Sequence, residues 1–166
     1  MTNQSSTTAD ISTKALTATA SSSNKTYDGG TTASTTLTFT GLVGTETLGQ
    51  TVGSTFDNKN VGTGKTVTVN SITLADGTNG GLAANYSISA GQTTTANITP
   101  KSLTVSGITA SNKIYDGNTV ATLDSSSVTY SGLVSGDSFA GSYSGLFSDK
   151  NIGTGKTVTI LSLIHI

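Results

Sequence analysis

The sequence predicts an all-β fold built from tandem small modules, and three features carry that prediction. Ser and Thr make up roughly a third of the chain. Short runs alternate apolar and polar residues with period two. Several motifs occur twice, in the same order, about ninety residues apart.

Composition sets the limits first. The chain has no Cys or Trp, one Pro (Pro100), one His (His165) and one Glu (Glu46), and all eight basic residues are Lys. Aromatic residues are 5% of the chain, so a core must come mostly from Val, Ile, Leu and Ala. Thr is β-branched and suits a pleated surface, which turns a Thr-rich composition toward strands. The net charge is −1 and no basic cluster exists, whereas a nucleic-acid binder needs a basic stripe to neutralise phosphates. No apolar run is long enough to span a bilayer as a helix, and no basic amphipathic stretch suits a membrane surface. A chain without Cys fits the cytosol or a bacterial exported protein that folds without disulfides.

The repeat defines the organisation. Asn24-Lys25-Thr26-Tyr27-Asp28-Gly29 recurs as Asn112-Lys113-Ile114-Tyr115-Asp116-Gly117, 88 residues on. Residues 57–69 recur as 148–160 and Gly41-Leu42-Val43 as Gly132-Leu133-Val134, both 91 residues on, so three extra residues fall between Gly29 and Gly41 and are expected in a loop. Ile11 to Thr17 matches Ile98 to Thr104 at 87. Every Lys has a partner: 14 and 101, 25 and 113, 59 and 150, 65 and 156. The expected organisation is a linker at 1–9, a first module at 10–99, an incomplete second module at 100–160 and a tail at 161–166. Pro100 stiffens the junction. The tail, which contains His165, fits no repeat position and reads as a translated sequencing adapter.

Strands follow from the alternation. Lys14 to Ala20 and Lys101 to Gly107 open the two modules. Thr35 to Thr40 puts Leu37 and Phe39 on one face, and Val128 to Ser131 is its counterpart. Lys65 to Leu74 alternates Val67 and Val69, then changes phase to Ile72 and Leu74, which predicts a bulge or turn at Asn70-Ser71. Tyr86 to Ser89 and Thr93 to Ile98 close the first module. An Ig-like sandwich accommodates these strands, and a grasp-like sheet is the alternative.

Candidate sites are few. Lys-x-Tyr-Asp-Gly is first a turn, since Asp-Gly accepts positive φ. Alternation places Tyr27 on the face of Lys25, with the ring buried and the Lys charge reaching water. The competing reading makes Tyr27, Asp28, Tyr115 and Asp116 contacts for a carbohydrate or host ligand. Gly62-Thr63-Gly64-Lys65-Thr66 imitates a phosphate loop, but Lys59 stands where the leading Gly belongs and a strand follows instead of a helix. The Gly pair is expected to form a hairpin-like turn. Asp57, Asn58 and Asp149 offer oxygens to Ca²⁺ at a lower density than a dedicated loop has. Asn24, Asn85 and Asn97 match the glycosylation acceptor pattern, which a Thr-rich chain produces by chance. Without His or Cys in the repeats no base or nucleophile is paired, so neither an enzyme nor a cofactor is expected. A Lys14 or Lys101 amide cross-link to Asn97 is the one special case.

The order Lys113-x-Tyr115-Asp116-Gly117-x-Thr119-x-Ala121, then Lys150-Asn151-Ile152-Gly153-Thr154-Gly155-Lys156-Thr157-Val158-Thr159, resembles the YDG-type repeat. Ala83 to Ile88 and the Ile98-Thr99-Pro100-Lys101 joint resemble the end of the same repeat. Gly30 departs from Asn118 at one turn position. Such repeats belong to large filamentous haemagglutinin-like and autotransporter-like proteins. The resemblance implies export to a bacterial cell surface and a stalk or spacer role in adhesion, with neighbouring repeats as partners. The alternative is a module that binds host or abiotic surface glycans. The resemblance supplies no catalytic residues.

Overall fold

The computed structural model describes residues 6–165, so residues 1–5 of the expected linker and Ile166 of the tail lie outside the described residues. The fold is all-β, with no α-helix among the described residues and a single 3-10 turn at Ala83–Asn85. The chain forms two compact units that divide after Pro100.

The first unit contains nine strands: β1 (Lys14–Ala15), β2 (Thr17–Ser22), β3 (Lys25–Thr26), β4 (Thr32–Ala33), β5 (Thr35–Thr40), β6 (Leu48–Phe56), β7 (Gly62–Asp76), β8 (Tyr86–Ser87) and β9 (Thr93–Thr99). Five of them make a mixed sheet in the order β3-β9-β7-β6-β4, in which β3 runs parallel to β9 and the other neighbours are antiparallel. An antiparallel β2-β5 ladder and a short parallel β1-β8 pair complete the unit. Alternation fixes which side chains turn inward. Ala33, Phe56, Val67, Ala96 and Ile98 form the buried cluster, with Tyr27 packed against it.

The phase change in β7 is a bulge. Gly53 of β6 faces Ser71 and Ser54 faces Val69, so the backbone register skips Asn70, whose side chain donates to Thr55 Oγ1 at 3.0 Å. The extra residue keeps Val67 and Val69 buried while Ile72 and Leu74 become half-buried beyond it.

Strand β6 has no apolar alternation to announce it. Two of its inward positions are Gln50 and Ser54, and both act as surrogate peptide groups. Gln50 accepts from the Leu37 N–H at 3.1 Å and donates to the Leu37 carbonyl at 2.7 Å. Ser54, 4% exposed, donates to the Ala33 carbonyl at 3.0 Å. Gln50 thus satisfies β5 at Leu37, and Ser54 satisfies β4 at Ala33, as buried backbone groups require.

The second unit contains β10 (Thr104–Ser106), β11 (Thr109–Ala110), β12 (Val120–Ala121), β13 (Leu123–Asp124), β14 (Thr129–Ser131), β15 (Ala140–Phe147) and β16 (Val158–His165). It pairs β10 with β14 and β11 with β13, and forms a three-stranded sheet in the order β12-β15-β16. The three extra residues form a turn of their own, one that the first unit lacks. They interrupt the counterpart of β5, where a turn from Asp124 to Val128 separates β13 from β14, held by Ser126 N–H to the Asp124 carboxylate at 2.9 Å. The facing strand breaks too, at Gly107 (φ +84°), where a Cβ would collide with the Ser127 carbonyl oxygen, so only Gly allows this approach.

That insertion displaces the segment to which Gln50 bonds in the first unit, and Gln50 is replaced by Gly141. The vacated space is filled by a neighbour, since a Cβ on Gly141 would collide with the Tyr143 hydroxyl. Tyr143 in turn meets the Tyr130 hydroxyl at 2.6 Å, and Tyr130 stands edge-on to Phe139 with centroids 4.7 Å apart. The hydrogen bond with Tyr130 pushes the pKa of the Tyr143 phenol up to about 12. Ladder β15-β16 runs unbroken from Phe147 opposite Val158 to Ala140 opposite His165, so Leu161 pairs with Ser144 where its counterpart Asn70 bulges.

Candidate functional site

The repeated Lys-x-Tyr-Asp-Gly segment closes around its own lysine. Lys25 on β3 turns inward, and the chain then bends at Gly29 (φ +80°) so that oxygens from three successive alternate positions face the ammonium. Lys25 Nζ meets Asp28 Oδ1 at 2.7 Å, the Gly30 carbonyl at 3.0 Å and the Thr32 carbonyl at 3.1 Å, and lies 5.8 Å above the Phe56 ring. Asp28 also accepts from the Gly30 N–H at 2.9 Å, an Asx-type closure of the turn. Three oxygens and an aromatic face replace the water an ammonium otherwise needs, leaving the side chain 16% exposed.

The second unit repeats this arrangement. Lys113 Nζ meets Asp116 Oδ1 at 2.7 Å, the Asn118 carbonyl at 3.0 Å and the Val120 carbonyl at 3.1 Å, again 5.8 Å from an aromatic ring, Phe147. Asn118, at the position of Gly30, adds its own side chain: Oδ1 accepts from Lys113 at 2.9 Å, and Nδ2 donates to Asp116 Oδ2 at 2.9 Å.

A second lysine fastens the β6-β7 turn. Lys65 Nζ meets Asp57 Oδ1 at 2.9 Å and Asn58 Oδ1 at 2.7 Å, with its side chain 9% exposed. In the second unit Lys156 pairs with Asp149, which occupies the place of Asn58. Asn58 and Asp149 accept the backbone N–H two residues on, from Asn60 at 3.0 Å and Asn151 at 2.8 Å. The Gly-Thr-Gly-Lys segment is therefore part of β7 and not the hairpin turn, which lies upstream at residues 57–61. Gly62 opposes Ile98 and Lys65 opposes Ala96, with an irregularity between them where Gly64 (φ +60°) donates to Asn97 Oδ1 at 2.8 Å. The oxygens considered for Ca²⁺ are those that hold Lys65 and Lys156. Among the described residues no group of three or more His, Asp or Glu is placed to hold a metal.

The sequence-predicted contacts fall as follows. Asp28 and Asp116 are the anionic partners of Lys25 and Lys113. Tyr27 is half-buried against the core cluster, and its N–H donates to the Thr99 carbonyl at 2.9 Å. Tyr115 is 58% exposed. Lys25 does not carry its charge into water as a snorkelling stem would; the turn supplies protein oxygens instead. Asn97, considered for a cross-link, spends its side-chain oxygen on Gly64. Tyr86 reads in the sequence only as a strand residue, yet it is buried and anchors the 42–46 loop. Its hydroxyl donates to the Glu46 carboxylate and accepts from the Val43 N–H at 3.1 Å. The Glu46 contact raises the Tyr86 phenol above its ordinary value.

Electrostatics follow from these pairs. The hydrogen bond from Lys25, then that from the Gly30 N–H, holds Asp28 below the ordinary carboxylate range. Lys113 does the same to Asp116, Lys65 to Asp57 and Lys156 to Asp149. A carboxyl with a lowered folded-state pKa contributes stability that is fully present above its unfolded value and is lost as the pH falls through the folded one. Thermal midpoints should therefore be level from pH 7 to about pH 5 and fall below about pH 4. Calorimetry of the full chain across that range checks this. Asp28→Asn should lower the midpoint at pH 7 and make the acid fall of the first unit shallower; an unchanged slope would show that Asp28 is not one of the groups responsible.

The sequence pattern of the family described as YDG domain matches residues 12–96 and again residues 99–165. No curated protein and no solved structure matches the chain.

Proposed function

The chain belongs to the YDG domain family, with two tandem copies, and on that premise we propose that it is a non-enzymatic stalk or spacer segment of a secreted bacterial surface adhesin. The observation that carries this reading is where the repeated polar residues go. The Lys and Asp of Lys-x-Tyr-Asp-Gly are spent on each other and on the turn in both copies, at matching distances. A residue repeated because it recognises a ligand must present its polar atoms outward. A residue repeated because each module must fold alone turns them inward, as tandem modules require.

Small-angle scattering on concatemers of two, four and eight copies of residues 10–99 tests the spacer role. The maximum dimension should rise by a constant increment per module. A dimension that stays level as modules are added contradicts it.

The exposed Tyr115 favours the second reading, a glycan-binding module of the same adhesin. A glycan array probed with the full chain separates the two. Reproducible binding that disappears on Tyr115→Ala, with unchanged melting, would replace the spacer reading.

A further inference from the structure

The β6-β7 turn of the first unit brings an amine, a carboxamide and a carboxylate to one point. Lys65 reaches it because its stem folds back along its own strand over Gly62, where a Cβ would stand 3.3 Å from Lys65 Cγ and Cδ. The Lys65 side chain is 9% exposed, less than those of Lys25, Lys113 and Lys156. Its Nζ lies 2.7 Å from Asn58 Oδ1 and 2.9 Å from Asp57 Oδ1. Asn58 Oδ1 also accepts from the Asn60 N–H at 3.0 Å, and Asp57 Oδ1 accepts from the Asn58 N–H at 2.9 Å. The Asn60 N–H therefore points at the oxygen on which negative charge develops when the Asn58 carbonyl carbon is attacked.

We propose that Lys65 and Asn58 join in an amide cross-link that this turn forms by itself, with Asp57 moving the protons. The Lys65 ammonium passes one proton to the Asp57 carboxylate, and the neutral Nζ adds to Asn58 Cγ. The oxyanion at Oδ1 is held by the Asn60 N–H. Asp57 delivers its proton to Nδ2 and takes the remaining excess proton from Nζ. The Cγ–Nδ2 bond breaks as the carbonyl re-forms, and ammonia leaves, carrying the proton from Asp57 into water as ammonium. Nothing is oxidised or reduced. Holding amine and amide at hydrogen-bond distance replaces the high concentration that the free groups would need. The ion pair is the resting state, so the cross-link accumulates slowly. The second unit provides an internal contrast. Lys156 pairs with Asp149, which accepts from the Asn151 N–H at 2.8 Å, but Ser148 stands in the place of Asp57. There the acyl partner is itself an anion, which resists an amine, and no second carboxylate is placed to move a proton.

Intact-mass spectrometry of the full chain during incubation at neutral pH should show the loss of one ammonia per chain. In a tryptic digest of the denatured product, cleavage after Lys65 should disappear while cleavage after Lys156 persists, since trypsin needs a free lysine amine. Tandem spectra should join residues 58 and 65. That comparison is made within one sample and depends on no variant. Asp57→Ala should slow the loss at least about a hundredfold, the scale of general acid–base catalysis, and Lys65→Arg should abolish it. A chain that keeps its full mass overturns the proposal. Ammonia loss with Lys65 still cleaved also overturns it, because the product is then an imide at Asn58. So does an undiminished rate in Asp57→Ala, since the protons then move by another route.

Discussion

Phe56→Ala should destabilise the first unit more than any other single truncation on that face of the sheet. Phe56 ends β6, is 3% exposed, and touches both the buried cluster of Ala33, Val67, Ala96 and Ile98 and the ammonium of Lys25. The cluster holds no second aromatic ring beyond the half-buried Tyr27 at its margin, so no neighbour can fill the cavity. Removing a buried Phe costs about 3–5 kcal/mol, against a total of about 5–15 kcal/mol for a small domain. One kcal/mol moves the midpoint of a domain this size by roughly 4–8 °C, so calorimetry should show a fall of at least about 12 °C in the first unit's transition. The counterpart Phe147→Ala removes a half-buried ring and should do less to the second unit. A fall of only a few degrees for Phe56→Ala contradicts the assignment of the core.

Lys25→Ala is the second large effect, and it separates a structural lysine from a surface one. The substitution removes the donor shared by Asp28, Gly30 and Thr32 and leaves their oxygens facing each other across a turn. Loss of such charge-assisted bonds costs about 1.5–3 kcal/mol. Lys14→Ala, at an exposed position on β1, should stay within about 0.5 kcal/mol. Denaturant titration of the two variants gives the comparison directly. Tyr27→Ala should fall between them, because the ring is half-buried at the margin of the cluster. If Lys25→Ala and Lys14→Ala are indistinguishable, the turn is held by Gly29 and Asp28 alone.

A structural role is legible in the sequence when it leaves a periodic trace. The strands at Thr35–Thr40 and Gly62–Asp76 announce themselves through Leu37, Phe39, Val67 and Val69, and the slip at Asn70 shows because a bulge shifts the apolar phase. β6 leaves no such trace, because Gln50 and Ser54 hold its inward positions by hydrogen bonding and not by apolar burial. The three-residue insertion reads as loop material, since gap positions mark length and not location. It lies within a ladder because two facing strands break together, at Gly107 and at the Asp124 turn. The role of Lys25 is hidden for a different reason. Alternation places it correctly beside Tyr27, but its oxygens come from residues 28, 30 and 32, and only the bend at Gly29 brings them to one point. Recurrence between the copies does not single it out, because the exposed Lys14 recurs as Lys101 as well.

The central claim is that the Lys-x-Tyr-Asp-Gly residues of both copies hold their own module together. The most direct measurement is the exchange of lysine ammonium protons with water, read from ¹⁵N-resolved side-chain NMR spectra of the full chain near neutral pH. Enclosure by protein oxygens and an aromatic ring predicts slow exchange and visible, dispersed signals for Lys25 and Lys113, while the exposed Lys14 gives a signal broadened or lost by fast exchange. If Lys25 and Lys113 exchange as fast as Lys14, their ammonium groups face water and are open to a ligand, which contradicts a purely structural role for the motif.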